Sequence, residues 1–121
     1  MKRIIALLFM LMPCAVMAQE AKQDSLRLLF VGNSYTYYND LPQMVYEIAK
    51  TKKKKLSVRS VTKGGERLKG HLNNDKLREM LTSEKWDFVI LQEQSSAPAK
   101  QTETVIADIY PAAKSLDSLI H

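Results

Sequence analysis

The chain has one cysteine, two histidines, four glycines, four prolines and one tryptophan among 121 residues. Each scarcity removes a class of chemistry. Cys14 is the lone cysteine, so no intrachain disulfide can form and no cysteine-based zinc set exists. His71 and His121 do not share the spacing of two ligands on one helix face, so no metal is expected. The few glycines form neither a Walker loop nor a Gly-x-Gly-x-x-Gly fingerprint, and no cofactor is expected. No apolar run reaches the length of a comfortable membrane span.

What is present begins with an export signal. Lys2 and Arg3 precede the apolar stretch Ile4 to Val16, and Val16-Met17-Ala18 supplies a cleavage site before Gln19. Residues 1–18 read as a signal peptide and residues 19–121 as one domain, which places the mature protein in the periplasm or outside the cell. Pro13 before Cys14 argues against a lipoprotein anchor, so no membrane attachment is expected after cleavage. Removing Lys2 and Arg3 from the 18 basic residues, against 13 acidic ones, lowers the net charge from +5 to +3. Much of that excess is the run Lys52 to Lys55. It lacks interleaved aromatics and lies between a helix and a strand, so it reads as a solvated loop rather than a nucleic-acid site.

The mature chain alternates apolar runs with helical patterns. Leu26 to Val31 is a buried strand that stops at the corner Gly32-Asn33-Ser34, with a polar and aromatic loop beyond. Asp40, Pro42 and Gln43 have the order of a cap, a first-turn proline and a capping-box partner. Leu41, Met44, Val45, Ile48 and Ala49 then recur at helical spacing until about Lys52, as residues packed against a sheet would. Leu56 to Thr62 alternates imperfectly, like a second strand near a sheet edge. Leu68, Leu72, Leu77, Met80 and Leu81 mark two short helical pieces divided at Asn73-Asn74-Asp75. Trp86 to Leu91 is a third strand, and its continuous apolar run Phe88 to Leu91 suggests burial on both faces. From Val105 to Ile120 an amphipathic helix follows, which Pro111 should kink or divide. Repeated strand, loop and helix give an α/β fold with a parallel sheet in the order 2-1-3.

A serine presented at the carboxyl end of a strand is a candidate nucleophile, because ligands bind there in open α/β sheets and turn amides can stabilise an oxyanion. The plainer reading of Gly-Asn-Ser is an ordinary turn. Tyr35, Tyr37 and Tyr38 crowd the same mouth, either lining a cleft or packing in a loop. His71 can face the site, or can be a surface or capping residue.

Three stretches together carry a resemblance. Gly32-Asn33-Ser34-Tyr35-Thr36, Lys63-Gly64-Gly65-Glu66-Arg67-Leu68 and Trp86-Asp87-Phe88-Val89-Ile90-Leu91-Gln92-Glu93-Gln94-Ser95 are similar, in order, to sequence blocks of the SGNH hydrolases, also called GDSL esterases/lipases. The match is to the branch with Gly-Asn-Ser in the first block, and it covers roughly Leu26 to the C-terminus. It implies a three-layer flavodoxin-like fold of which this chain holds the first three strands. It implies Ser34 as the nucleophile, and the amides of Ser34 and Gly65 in an oxyanion hole. Gln92 or Gln94 would stand in for the family's usual asparagine. Asn33, Tyr35, Thr36 and His71 become candidate cleft residues.

The family's catalytic Asp-x-x-His follows a fifth strand. Asp117 and His121 are four residues apart within a helical pattern, so neither is carried over. The expectation is therefore the amino-terminal portion of an exported serine esterase or acetylesterase, acting on a small-molecule or carbohydrate O-acyl ester. Its alternative is a non-catalytic exported binding module with the same cleft. Sequence beyond His121 separates the two. A third reading, an anion site, comes from the similarity of Ser34-Tyr35-Thr36 after a first strand to the phosphate loop of flavodoxins; export and the glycine-poor loop argue against a flavin. Truncation after three strands would leave Trp86 to Leu91 as an open edge, giving self-association through residues 86–91.

Overall fold

Three apolar runs of the sequence become three parallel strands. The computed structural model describes residues 25–120. In chain order the elements are β1 (Leu26–Gly32), α1 (Ser34–Tyr37), α2 (Leu41–Thr51), β2 (Leu56–Thr62), α3 (Leu68–His71), α4 (Asp75–Ser83), β3 (Phe88–Leu91) and α5 (Thr102–Ile120). The sheet order is β2-β1-β3, as the alternation of strand and helix requires. Leu26 to Gly32 of β1 pair in register with Leu56 to Thr62 of β2, and Leu28 to Val31 pair with Phe88 to Leu91 of β3. The signal-peptide segment and His121 lie outside the described residues.

Strand alternation sorts the side chains between two faces. Leu29, Val31 and Val61 share one buried cluster with Leu68 of α3, Leu77, Met80 and Leu81 of α4, and Ala112 and Leu116 of α5. Val89 and Leu91 of β3 pack against it. Successive crossovers in opposite directions along the sheet put their helices on opposite faces. So α2, which joins β1 to β2 and contributes nothing to this cluster, lies over the other face.

That other face corrects two expectations. The apolar residues of α2 do not all pack on the sheet: Leu41, Met44 and Ile48 are exposed, Ile48 to 63%, while Val45 and Ala49 are half-buried. Nor is β3 buried on both sides, since Phe88 is 58% exposed and its neighbours are half-buried. The physical reason is shared. β3 is an edge strand, and one narrow helix covers only the β2 side of that face. β3 is also shorter than the run from Trp86. The Trp86 indole N–H donates to the carbonyl of Met80 at 2.9 Å, and its ring carries the guanidinium of Arg27 at 4.6 Å and that of Arg59 at 5.7 Å.

Helix ends follow their chemistry. Asp40 accepts from the Gln43 amide at 3.3 Å, but the Gln43 side chain bonds Glu47 at 2.9 Å, so only half of the capping box forms. Asn74 caps α4 through the Leu77 amide at 3.0 Å, at the expected division between α3 and α4. Pro111 does not divide α5, which runs unbroken from Thr102. Pro111 faces solvent while Ala112 and Leu116 are buried, so packing of the opposite side of the helix outweighs the lost backbone bond.

Candidate functional site

The carboxyl edge of the sheet gathers the three loops that the sequence singles out. After Gly32 the chain turns directly into α1, a single helical turn where a loop was expected. Asn33 is its cap: its Oδ1 accepts from the Tyr35 amide at 3.2 Å. Its Nδ2 donates to the carbonyl of Glu66 at 2.9 Å, and its backbone amide donates to Gln92 Oε1 at 2.9 Å. One buried side chain thus ties the end of β1 to the loops after β2 and β3. Thr36 Oγ1 adds a second bond to Gln92 Oε1 at 2.8 Å.

These contacts explain Gly32. A Cβ there would sit 2.5 Å from Thr36 Oγ1 and 2.6 Å from Gln92 Oε1, inside any allowed contact. Gly65, by contrast, meets nothing; it is needed for its φ of +65°, in the left-handed region.

Ser34 is the first residue of α1, at the amino end of the turn. With Tyr35, Tyr38 and Asn39 it lines a concavity of 220 Å³. Its hydroxyl makes no hydrogen bond among the described residues, and the backbone amides of Ser34 and Gly65 donate none there either. The two glutamines differ. Gln92 uses its oxygen on the serine corner and its Nε2 on the carbonyl of Glu93. Gln94 uses its oxygen on the amide and hydroxyl of Ser96, at 3.0 and 2.7 Å, and its Nε2 remains uncommitted among the described residues.

The candidate cleft residues fall in different places. Asn33 and Thr36 are buried, and they brace the corner from beneath rather than line its mouth. His71 is not a surface residue, and it does not line the concavity at Ser34; it borders a separate one with Lys63, Glu66 and Gly70. It is 1% exposed, and its Nε2 lies 2.8 Å from the carbonyl oxygen of Gly32. A carbonyl only accepts, so Nε2 carries the proton, and the Nδ1 lone pair is left buried without a partner. The α3 turn puts His71 on the inner face because Leu68, three residues earlier, anchors that face in the core. Tyr35 and Tyr38 do line the concavity, and Tyr37 sits beside Gly64, where a Cβ would lie 3.1 Å from its hydroxyl.

The rim also holds paired charges. Lys63 pairs with Glu66 at 2.8 Å. The hydrogen bond from Lys63, then that from the Arg67 amide, hold the Glu66 carboxyl below its ordinary range, and Glu66 in turn raises Lys63. Arg67 bridges Glu93 at 3.7 Å and Asp108 of α5 at 3.6 Å, linking the second and third loops. Glu93, between the two glutamines, was legible only as part of a polar stretch. Among the described residues no cluster of His, Cys, Asp and Glu could hold a metal ion. Set against protein-family models, curated proteins and solved structures, the chain matches none of them.

Proposed function

We propose that this chain is the amino-terminal portion of an exported SGNH-type serine esterase acting on O-acyl esters, with Ser34 as the nucleophile. The observation that carries the reading is the state of Ser34: a hydroxyl free of internal bonds, on a helix turn at the sheet's carboxyl edge, opening on a concavity. An ester carbonyl seated there would be attacked by Ser34 Oγ. The resulting oxyanion would draw on amides of the kind that Ser34 and Gly65 leave uncommitted. Between the glutamines, Gln94 suits the side-chain donor better, because Nε2 of Gln92 is already spent on Glu93. The serine must also lose its proton to a base. His71 does not suit that task, since its Nε2 is held by Gly32 and its Nδ1 is sealed from solvent.

The test is hydrolysis of an activated acetyl ester by the chain, by Ser34→Ala and by His71→Ala. The expected result is a feeble rate, on the order of a thousandfold above water, supplied by the oxyanion hole and binding and little changed by either substitution. Robust turnover abolished by both substitutions would make His71 the base and overturn this account. Robust turnover indifferent to Ser34→Ala removes the serine mechanism. The commitment of His71 favours one second reading, a binding module that holds an ester without cleaving it. Saturable binding of an acetylated sugar with no turnover would support that module.

A further inference from the structure

At the opposite end of the sheet from Ser34, the chain leaves α2 through a turn of lysines. Lys50, Lys53, Lys54 and Lys55 line one concavity of 310 Å³ with Tyr46 and Leu56. The turn is solvated, as expected, with all of Lys52 to Lys55 exposed, but its backbone is ordered. The amides of Lys52 and Lys54 both donate to the carbonyl of Ala49 at 3.0 Å, the amide of Lys53 donates to that of Lys50 at 2.9 Å, and the carbonyl of Lys55 accepts from Leu26 at 3.0 Å. Four lysines, Lys50 at the end of α2 and three on a hydrogen-bonded turn, thus border one hollow.

Two features of this turn work against stability. First, Lys53 has a φ of 54°, in the left-handed region just after the helix, where glycine or asparagine closes a helix without strain. Second, the lysines repel one another. The carboxyl end of α2 offers only about half a negative charge to offset them. Among the described residues, acid reaches just one of them, Lys50, whose ammonium lies 3.9 Å from Glu47. No acidic side chain lines the hollow. A strained residue and an unbalanced charge cluster at one place are the marks of a site shaped for a ligand of opposite charge.

We infer that Lys50, Lys53, Lys54, Lys55 and Tyr46 form a receptor for a phosphate-type oxyanion. Lysine ammoniums are compact point charges suited to phosphate, and the tyrosine hydroxyl can donate to the same group. The phosphate can belong to a free polyphosphate or to a lipid headgroup. Either occupant would bind at the edge remote from Ser34, so this site does not depend on the hydrolase reading.

The experiment follows the full chain by NMR while tripolyphosphate is added, and by flotation with vesicles of phosphatidylcholine alone or mixed with phosphatidylglycerol. Lys53→Gln/Lys54→Gln should weaken binding about tenfold or more, whereas Lys69→Gln/Lys76→Gln, with the same change of net charge, should leave it within about twofold. Lys53→Gly should weaken binding while raising Tm by several degrees, because it removes the charge and the strain together. Tripolyphosphate binding without flotation assigns a soluble phosphate; flotation confined to phosphatidylglycerol vesicles assigns a headgroup. Absence of both, equal loss in the two double variants, or tight binding retained by Lys53→Gly would overturn the inference.

Discussion

The Nε2–H of His71 donates to the carbonyl oxygen of Gly32 across 2.8 Å, and that bond fixes the last residue of β1 just before the serine corner. The same carbonyl also accepts from the Lys63 amide at 3.2 Å. The end of β1 is therefore held by both α3 and the loop after β2. This makes His71 a structural residue of the site's floor. His71→Ala should cost about 2–4 kcal/mol in denaturant unfolding, from a cavity and a lost partner. His71→Gln, which keeps a donor of similar reach, should recover part of that loss. A His71→Gln protein of normal stability that had lost all ester turnover would instead mark the ring as a base.

Gln92 and Gln94 make opposite predictions. Gln92 Oε1 satisfies the buried amide of Asn33 and the hydroxyl of Thr36, so Gln92→Leu strands two donors. The expected loss is about 2–4 kcal/mol of unfolding free energy. Gln94→Leu gives up only a local turn to Ser96 and should stay within about 1 kcal/mol. If Gln94 is the oxyanion donor, Gln94→Leu should lower kcat for an activated ester by about a hundredfold or more at unchanged fold stability. Equal stability of the two variants would show that the clamp on Asn33 is unimportant.

Much of this arrangement was legible because it is local or periodic. The strand pattern of Leu26 to Val31, the alternation of Leu56 to Thr62 and the Asn74 division each depend on near neighbours, and each appears where the residues imply. What escaped the sequence depends on residues far apart. Asn33 and Thr36 look like cleft residues until Gln92, more than fifty positions on, is seen to claim them. His71 has no neighbour in sequence that marks it as buried. Its inward direction comes from docking α3 through Leu68. The exposure of Phe88 was also hidden, because an apolar run reports the burial a strand would accept, not the elements present to cover it.

Acid should weaken the amino end of the sheet through Glu84. Its carboxylate bridges Arg27 at 2.5 Å and Arg59 at 2.6 Å, the two cations stacked on Trp86. The hydrogen bond from Arg27, then that from Arg59, hold its pKa below the ordinary carboxylate value. A group depressed in the folded state stabilises above its unfolded pKa, and that contribution fades as pH falls through the folded value. The window therefore opens near the usual glutamate value, about 4.3, and extends downward. Urea midpoints of Glu84→Gln should lie below those of the wild type at neutral pH and approach them in acid. A constant gap at both pH values would rule out this linkage.

The last prediction concerns the two edges of the sheet, which are not equivalent. The β2 edge carries Arg59 and lies between Lys53 to Lys55 at its start and Lys63 at its end. Charge along an edge discourages a second strand from pairing there. The β3 edge is Phe88-Val89-Ile90-Leu91, without a charge in the strand. Among the described residues its outer backbone groups have no strand partner, and Phe88 stands 58% exposed on the thinly covered face. We expect the chain to self-associate with rising concentration in sedimentation velocity, and to do so through β3. Phe88→Lys should shift it toward monomer with little change in Tm, because more than half of the ring is already in water. Arg59→Ala, which strips the charge from the other edge, should leave the association at β3 intact. A protein monomeric at every concentration, or one whose association ignores Phe88→Lys, would show that some other surface governs its assembly.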